Sequence, residues 1–261
     1  MNDEVSARYR SLHRSLGAVL RAFTRLEVSG VEHVPSDGGA VVCPRHENLS
    51  DPFLVAAALP EQRPLQFLAW DGVFGIPVVG RWIKSLGVVH TAKVQLGRAS
   101  DTGSIRATMA RLQEIVADGH LVTVFPEGNI NHWIGPGGIK PFRAGAVRLA
   151  ARAGVPILPV GTSGTRWVIP SFLNLHDFGG PDFALWMPIA LPAKVRIRFG
   201  PLFVVDPRAA HHKRVAEQET ERLRAVIAGL SVELGDRGAR LLPSTTPSPS
   251  SPPRASEDDP S

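Results

Sequence analysis

Cysteine and long apolar runs are nearly absent from this chain. Cys43 is the one cysteine among 261 residues, so no intrachain disulfide can form, and a reducing compartment is expected. No stretch reaches the ~18 apolar residues that a membrane-spanning helix requires. The N-terminus opens with Asp3 and Glu4 and has no continuous apolar stretch, so no secretory signal is expected. We therefore expect a protein that does not cross a membrane, although it can lie on one.

Signatures of several function classes are also missing. No helix-turn-helix pattern, zinc-finger spacing or aromatic RNA-binding pattern occurs, so nucleic acid is not an expected partner. His211 and His212 are adjacent, but neither has a carboxylate or cysteine at ligand spacing, so no metal site is expected. Since no Gly-x-Gly-x-x-Gly or phosphate-loop pattern is present, no bound cofactor is expected either.

The chain has an excess of basic residues. The net charge is +5 and the isoelectric point is about 10.0, while the tail at 243–261 is net acidic, so the body is more basic than the whole. Such a body favours an anionic partner, which can be a membrane surface or a phosphorylated substrate. The tail is rich in proline and serine and has no Val, Ile, Leu or Phe, so it is predicted to be disordered.

Apolar residues recur at helical spacing over residues 8–26, where five arginines supply charge. This basic amphipathic helix suits an anionic membrane surface, but a helix packed on a domain with its arginines in water has the same pattern. We divide the chain into this N-terminal helix, 1–28, one domain, 29–236, and the disordered tail, 243–261.

Short apolar runs alternate with helical patterns from residue 40 onward. Strands are predicted at 40–43, 65–69, 87–91, 121–125, 155–160 and, half exposed, 194–199. Helices are predicted at 52–59, 73–84, 101–118, 143–153 and 212–234. This alternation predicts an α/β fold with a mostly parallel central sheet flanked by helices. In such sheets, ligands bind beyond the carboxyl ends of the strands.

A histidine and an aspartate follow the strand predicted at 40–43. His46 and Asp51 stand five positions apart, so they can form a base and its orienting carboxylate, in which imidazole takes a proton from a hydroxyl group. Asp51 followed by Pro52 is also an ordinary helix start. The two interpretations are compatible, because a helix start would fix Asp51 beside His46.

A second candidate follows the strand predicted at 121–125. Pro126 cannot continue a central strand and Gly128 permits a tight turn, so Glu127 is expected to project from the end of the strand. A carboxylate there can bind hydroxyl groups of an acceptor, although an ordinary turn glutamate has the same pattern.

These segments, in this order, resemble the lysophospholipid acyltransferases of the 1-acylglycerol-3-phosphate acyltransferase family. The resemblance covers about residues 27–234. It rests on His46-x4-Asp51, Phe125-Pro126-Glu127-Gly128, Val155-Pro156-Ile157-Leu158-Pro159, Phe142-Arg143-Ala144-Gly145-Ala146 and Phe199-Gly200-Pro201.

The resemblance implies a glycerolipid acyltransferase-like fold and roles for several residues. His46 would be the general base and Asp51 its orienting partner, while Glu127, Gly128 and Pro126 would belong to the acceptor site. The co-substrate would be acyl-CoA or acyl-carrier protein, and the protein would lie peripherally on the cytoplasmic face of a membrane. Amide groups near the helix start at Pro52 are candidates for stabilising the oxyanion.

The sequence departs from the family where the acceptor phosphate is bound. Lys93 stands where the family's second motif usually has arginine, and Asn129-Ile130-Asn131 replaces the usual Thr-Arg-Ser. Lys neutralises a phosphate but cannot clamp it in a bidentate way.

Arg98, Lys140 and Arg143 can supply the missing charge. The alternatives are the same chemistry on a glycolipid or another non-phosphate acceptor, a hydrolase in which His46 activates water, and a catalytically silent membrane-binding module.

Overall fold

The computed structural model describes residues 3–69, 89–90, 102–128, 130–133, 138–169, 171–174, 184–186 and 191–242. The strands are β1 (Glu27–Ser29), β2 (Ala40–Pro44), β3 (Leu65–Ala69), β4 (Val89–His90), β5 (Leu121–Thr123), β6 (Ile157–Ser163), β7 (Ser171–Asn174), β8 (Ala184–Trp186) and β9 (Arg196–Phe199). The helices are α1 (Asp3–Thr24), α2 (Asp51–Ala58), α3 (Thr102–Ala117), α4 (Gly145–Ala153) and α5 (Lys213–Glu233).

Seven of these strands form one sheet in the order β1-β9-β6-β2-β5-β3-β4. The pairs β2–β5, β2–β6, β3–β5, β3–β4 and β1–β9 are parallel, and β6–β9 is antiparallel. The mostly parallel sheet predicted from the sequence is therefore confirmed. Since β2, β5 and β6 are adjacent and point the same way, their carboxyl ends meet at one edge of the sheet.

The central strands β2, β5 and β6 are buried along their whole length because helices cover both faces of the sheet. In β2, Val41 and Cys43 point into a core shared with α3, α4 and α5, whereas Ala40 and Val42 point into a core shared with α2. Helix α5 lies very close to β6, since a Cβ at Gly161 would come within 2.6 Å of the Leu230 Cβ. A glycine there is required by the close approach of helix and strand.

Helix α1 packs on α2 along one of its faces. His13 Nε2 lies 3.0 Å from the Leu59 carbonyl oxygen, Arg14 forms an ion pair with Glu61, and Gly17 lies against Ala57. The packed helix considered in the sequence analysis is thus present, and the opposite face remains exposed. Among the described residues no helix is long and apolar enough to span a bilayer.

The predicted elements agree with the structure in most places. The strand at 65–69 has the predicted bounds, and the helices predicted at 52–59, 101–118, 143–153 and 212–234 end within two residues of those observed. The strand predicted at 155–160 extends instead to Ser163, because its polar end pairs with β9. The helix predicted at 73–84 and the tail at 243–261 lie outside the described residues. The division into 1–28, 29–236 and 243–261 stays a prediction.

Candidate active site

The residues predicted to carry chemistry lie where β2 and β5 end. These strands pair in parallel, with Val42 opposite Thr123, and the Val124 N–H continues the pairing by donating to the Val42 carbonyl at 3.0 Å. The loop from β2 to α2 therefore lies beside the turn that follows β5. Segments 81 positions apart in the sequence meet here, at the edge where parallel sheets bind ligands.

His46 and Asp51 are in direct contact. The His46 Nδ1 lies 3.1 Å from the Asp51 Oδ2, and the imidazole stacks on the Phe125 ring at 4.0 Å between centroids. Because an ionised carboxylate only accepts hydrogen bonds, Nδ1 carries the hydrogen and Nε2 keeps its lone pair. The side chain of His46 is 16% exposed and that of Asp51 is fully buried, so only the histidine can meet a substrate.

Backbone amides hold the Asp51 carboxylate. Its Oδ2 accepts hydrogen bonds from the N–H groups of Glu47 and Asn48, each at 2.7 Å. These bonds fix the carboxylate beside the His46 Nδ1. The interpretation of Asp51 as the cap of α2 is wrong, because Ser50 is the N-cap residue, Asp51 is the first residue of the helix and its carboxylate binds amides that precede it. Its contact with His46 agrees with the other interpretation.

Glu127 is turned inward and is 5% exposed. Its Oε1 accepts a hydrogen bond from the His46 N–H at 2.8 Å, and its Oε2 accepts from the Lys140 N–H at 3.1 Å and from the Asn131 Nδ2 at 3.3 Å. Burial raises the pKa of this carboxyl, while the two backbone amides and Arg45 oppose the shift. Sequence reasoning placed Glu127 at the end of the strand but did not foresee that it binds the backbone of His46. Its predicted role in acceptor binding stays a prediction.

Gly128 and Arg143 lie against one another. Gly128 has a φ of +72°, and a Cβ there would come within 3.0 Å of the Arg143 Nε. The Arg143 N–H donates to the Pro126 carbonyl at 2.8 Å, so the turn and the arginine segment are joined. An exposed guanidinium is thereby held over the turn.

The sequence analysis missed a buried ionic cluster beneath the loop. Arg45 is 1% exposed and contacts Glu47 Oε1 at 3.0 Å, Asp236 and the carbonyl of Gly138. Glu47 is also buried, and its Oε2 accepts from the Thr165 hydroxyl at 3.2 Å. Burial raises the pKa of Glu47 to about 7, against the opposing effect of Arg45. Charged residues at a strand end usually lie in water, so the sequence held no signal for this cluster.

Aromatic side chains lie on the other side of the loop. The Trp133 ring contacts those of Trp167 and Phe172, with centroids 4.9 Å and 5.2 Å away. The Asn48 Nδ2 donates to the Ile169 carbonyl at 2.6 Å, which fixes the loop against the segment that carries Trp167. Trp133 and Trp167 therefore lie in contact with each other beside the segment that the Asn48 side chain binds.

Other predicted residues lie farther from this contact or outside the described part of the chain. Lys93 and Arg98 lie outside the described residues. The Lys140 ammonium donates to the Ile130 carbonyl at 3.0 Å.

The amides proposed for the oxyanion near Pro52 donate within the helix start, since the N–H groups of Phe53 and Leu54 bond to the Ser50 carbonyl. That expectation is therefore wrong for these two amides.

No group of three or more potential metal ligands occurs in the part of the chain that the structure describes. Cys43 is buried inside β2, and burial raises the pKa of its thiol, which makes it a poor nucleophile. The group with the geometry for chemistry is the His46–Asp51 pair, which can take a proton from a hydroxyl group and stabilise the resulting imidazolium.

The chain is similar in sequence to proteins of one enzyme family. A family model described as Acyltransferase matches residues 25–163, more than half of the chain. An uncharacterized protein of Mycobacterium leprae is 30% identical over 239 residues, covering 79% of this chain and 59% of the relative. The chain thus spans less than two thirds of the length of that relative.

Relatives that are named for an activity match over shorter regions. The chloroplastic 1-acyl-sn-glycerol-3-phosphate acyltransferase BAT2 of Brassica napus is 30% identical over 57% of this chain and 40% of its own length. The mouse 1-acyl-sn-glycerol-3-phosphate acyltransferase alpha is 32% identical over 52% and 44%, respectively. The resemblance found in the sequence is confirmed by these matches.

One solved structure supports the fold. The 1-acyl-sn-glycerophosphate acyltransferase PlsC of Thermotoga maritima superposes with a TM-score of 0.62 at 24% identity, covering 92% of this chain and 86% of that one. At this identity the likeness shows that the two chains share a fold.

Proposed function

We propose, since the chain belongs to the acyltransferase family, that it transfers a fatty acyl group from a thioester to the hydroxyl of a lysophospholipid resembling 1-acylglycerol-3-phosphate. The donor is acyl-CoA or acyl-carrier protein. The observation that carries the proposal is the 3.1 Å contact between His46 and the buried Asp51. The activity for which the plant and mouse relatives are named supports the acceptor class.

The proposed reaction needs one base and no acyl-enzyme. The acceptor hydroxyl oxygen attacks the thioester carbonyl carbon while the His46 Nε2 takes the hydroxyl proton. Asp51 stabilises the imidazolium through Nδ1. When the tetrahedral intermediate collapses, the carbon–sulfur bond breaks and the imidazolium returns its proton to the leaving thiolate. The products are an ester and a free thiol, and His46 is neutral again.

Charge near the turn at Gly128 supports a phosphorylated acceptor. Arg143 is exposed and lies over Gly128, beside the glutamate that binds the His46 N–H. A guanidinium binds phosphate in a bidentate way. In this proposal, Arg143 and Lys93 meet the acceptor phosphate.

A second acceptor class is favoured by one observation at the same turn. Ile130 stands where the family usually has a second arginine, and it is buried. A buried isoleucine cannot bind phosphate, so the second candidate is the same acyl transfer onto a non-phosphate lipid or glycolipid.

An acceptor panel tests both candidates. Purified protein is incubated with labelled acyl-CoA, and separately with labelled acyl-carrier protein. Each donor is combined in turn with lysophosphatidate, a neutral monoacylglycerol and a glycolipid, and the labelled ester is quantified. We expect lysophosphatidate to give the highest kcat/KM and His46→Ala to lose the activity. Preference for an uncharged acceptor would support the second candidate. Absence of transfer to every acceptor from both acyl-CoA and acyl-carrier protein would support a catalytically silent membrane-binding module.

We also propose that the protein binds peripherally to an anionic membrane surface through α1. The face of α1 that points away from α2 exposes Val19 at 61% and Phe23 at 37%. An exposed apolar face on a basic helix suits a lipid interface.

The membrane proposal is tested with Val19→Ser/Phe23→Ser on phosphatidylcholine vesicles with and without phosphatidylglycerol. Burying a Val or Phe side chain contributes about 1.5–3 kcal/mol, so we expect the double substitution to weaken partitioning by at least ~10-fold. Val204→Ser/Val232→Ser removes two other exposed valines and should leave partitioning unchanged. Equal partitioning of both double variants would reject this role for α1.

A further inference from the structure

The charged side chain of Arg45 is buried. It directly precedes His46, and at 1% exposure it is the largest fully buried side chain among the described residues. Removing a guanidinium from water is costly unless carboxylates and carbonyls replace the lost hydration. The groups that bind the Arg45 guanidinium are therefore needed to keep this side chain buried beneath the loop.

One of those partners comes from the far end of the chain. Asp236 follows α5 and is 191 positions from Arg45. Its own turn holds it in place, because the Asp236 N–H donates to the Ser231 carbonyl at 3.1 Å and the Gly238 N–H donates to Asp236 Oδ1 at 2.8 Å. A fixed carboxylate thus meets a buried cation.

The loop that carries His46 is bound at successive residues. The side chain of Arg45 is held by Asp236 and Glu47, the N–H of His46 by Glu127, and the N–H of Glu47 by Asp51. Asp236 is the only one of these partners that lies outside the two predicted catalytic segments. It links the loop to the turn after α5.

We propose that Arg45 and Asp236 are positioning residues, and that their buried ion pair fixes the peptide before His46 so that the imidazole keeps its reactive orientation. Neither residue touches the substrate. The ion pair acts on the rate because a small displacement of a catalytic group from its reactive geometry slows a reaction strongly. The proposal rests on the proposed function only for its kinetic readout.

The test compares two substitutions, each of which neutralises a carboxylate that pairs with a buried arginine. Asp236→Asn keeps the shape of the side chain but removes the charge that meets Arg45. Glu221→Gln is the control, since Glu221 pairs at 3.2 Å with Arg224, which is 3% exposed, lies on α5 and binds the carbonyls of Ile139 and Leu242 rather than the loop. Both variants lose one carboxylate partner of a buried guanidinium.

Two readouts separate positioning from general stability. We expect Asp236→Asn to lower kcat about 10-fold, with the acceptor KM within twofold of wild type, while Glu221→Gln keeps its kcat. Hydrogen exchange of the peptide covering residues 45–51, which needs no activity assay, should become faster in Asp236→Asn and should not change in Glu221→Gln. Arg45→Lys should retain more kcat than Arg45→Met, because it keeps the charge.

The outcomes that overturn the proposal are distinct from those that overturn the function. Unchanged loop exchange and unchanged kcat in Asp236→Asn would remove the positioning role even if His46→Ala is inactive. Equal kcat losses in Asp236→Asn and Glu221→Gln would show that the Arg45–Asp236 ion pair contributes only to the stability of the fold. If His46→Ala keeps full turnover while exchange at 45–51 rises in Asp236→Asn, the proposed function fails and the link between loop and turn remains.

Discussion

Glu47→Gln should change how the stability of the protein depends on pH. Glu47 is buried between Arg45 and the Thr165 hydroxyl. Burial raises the pKa of this carboxyl from 4.5 to about 7, helped by the negative charges of Asp236 and Asp51 and opposed by Arg45 and Arg166. Glutamine has nearly the same shape and cannot ionise, so the substitution isolates the titration.

The sign follows from proton binding in the two states. Between pH 4.5 and 7 the folded protein keeps the Glu47 proton, whereas the unfolded chain has released it. Stability therefore falls as pH rises through this window. At 1.36 kcal/mol per pKa unit, the raised pKa corresponds to a loss of about 3 kcal/mol, complete above pH 7. The loss is absent in Glu47→Gln.

The assay is thermal unfolding of both proteins from about pH 4 to pH 8 at constant ionic strength. A change of 1 kcal/mol shifts the Tm of a domain of this size by about 2–4 °C, so the Tm of Glu47→Gln should rise relative to wild type by roughly 6–12 °C across this range. Glu114→Gln, which removes an exposed carboxylate on α3, is the control and should follow the wild-type curve. A constant Tm difference between wild type and Glu47→Gln at all pH values would refute the reasoning.

Three further predictions concern catalysis. His46→Ala should fold normally and lose at least ~100-fold in turnover, whereas a substitution of the exposed His211 by alanine should keep its turnover. Circular dichroism checks the fold and kcat checks the turnover. Near-wild-type turnover of His46→Ala would overturn the mechanism. A chain ending at Leu242 should keep its turnover on dispersed substrate, because the Pro/Ser-rich tail has no apolar surface to bury; lost activity with an intact fold would contradict this. Lys93→Ala should raise the KM for lysophosphatidate ~10- to 100-fold and Lys93→Arg should preserve it; an unchanged KM in Lys93→Ala would place the phosphate elsewhere.

The sequence was most informative about the fold where burial is complete. Strand β2 was predicted because both faces of a central parallel strand are buried, so its sequence is a short continuous apolar run. The end of β6 was missed because Thr162 and Ser163 are polar yet buried, with the Thr162 N–H donating to the Ser231 hydroxyl at 3.3 Å. Strand β1 has only three residues, too few for its polar–apolar–polar alternation to predict a strand, so its pairing with β9 defines it.

At the site, local spacing was informative and long-range pairing was not. His46 and Asp51 are five positions apart, and the turn between strand and helix brings them together as the spacing predicted. Glu127 was placed at the correct strand end, but its inward orientation depends on the His46 N–H. Arg45 and Asp236 are separated by most of the chain, and nothing in either local segment distinguishes a buried ion pair from two solvated charges.

The hydrogen bond between Glu127 and the His46 N–H also bears on folding. The two residues follow neighbouring parallel strands, which no hairpin can bring together, so their contact forms only after the crossover between β2 and β5 is in place. Such non-local pairing is completed late, when much of the chain has already been ordered. A partly folded chain would therefore have His46 beside Asp51 but without its backbone support. Recovery of activity during refolding should consequently coincide with formation of the sheet.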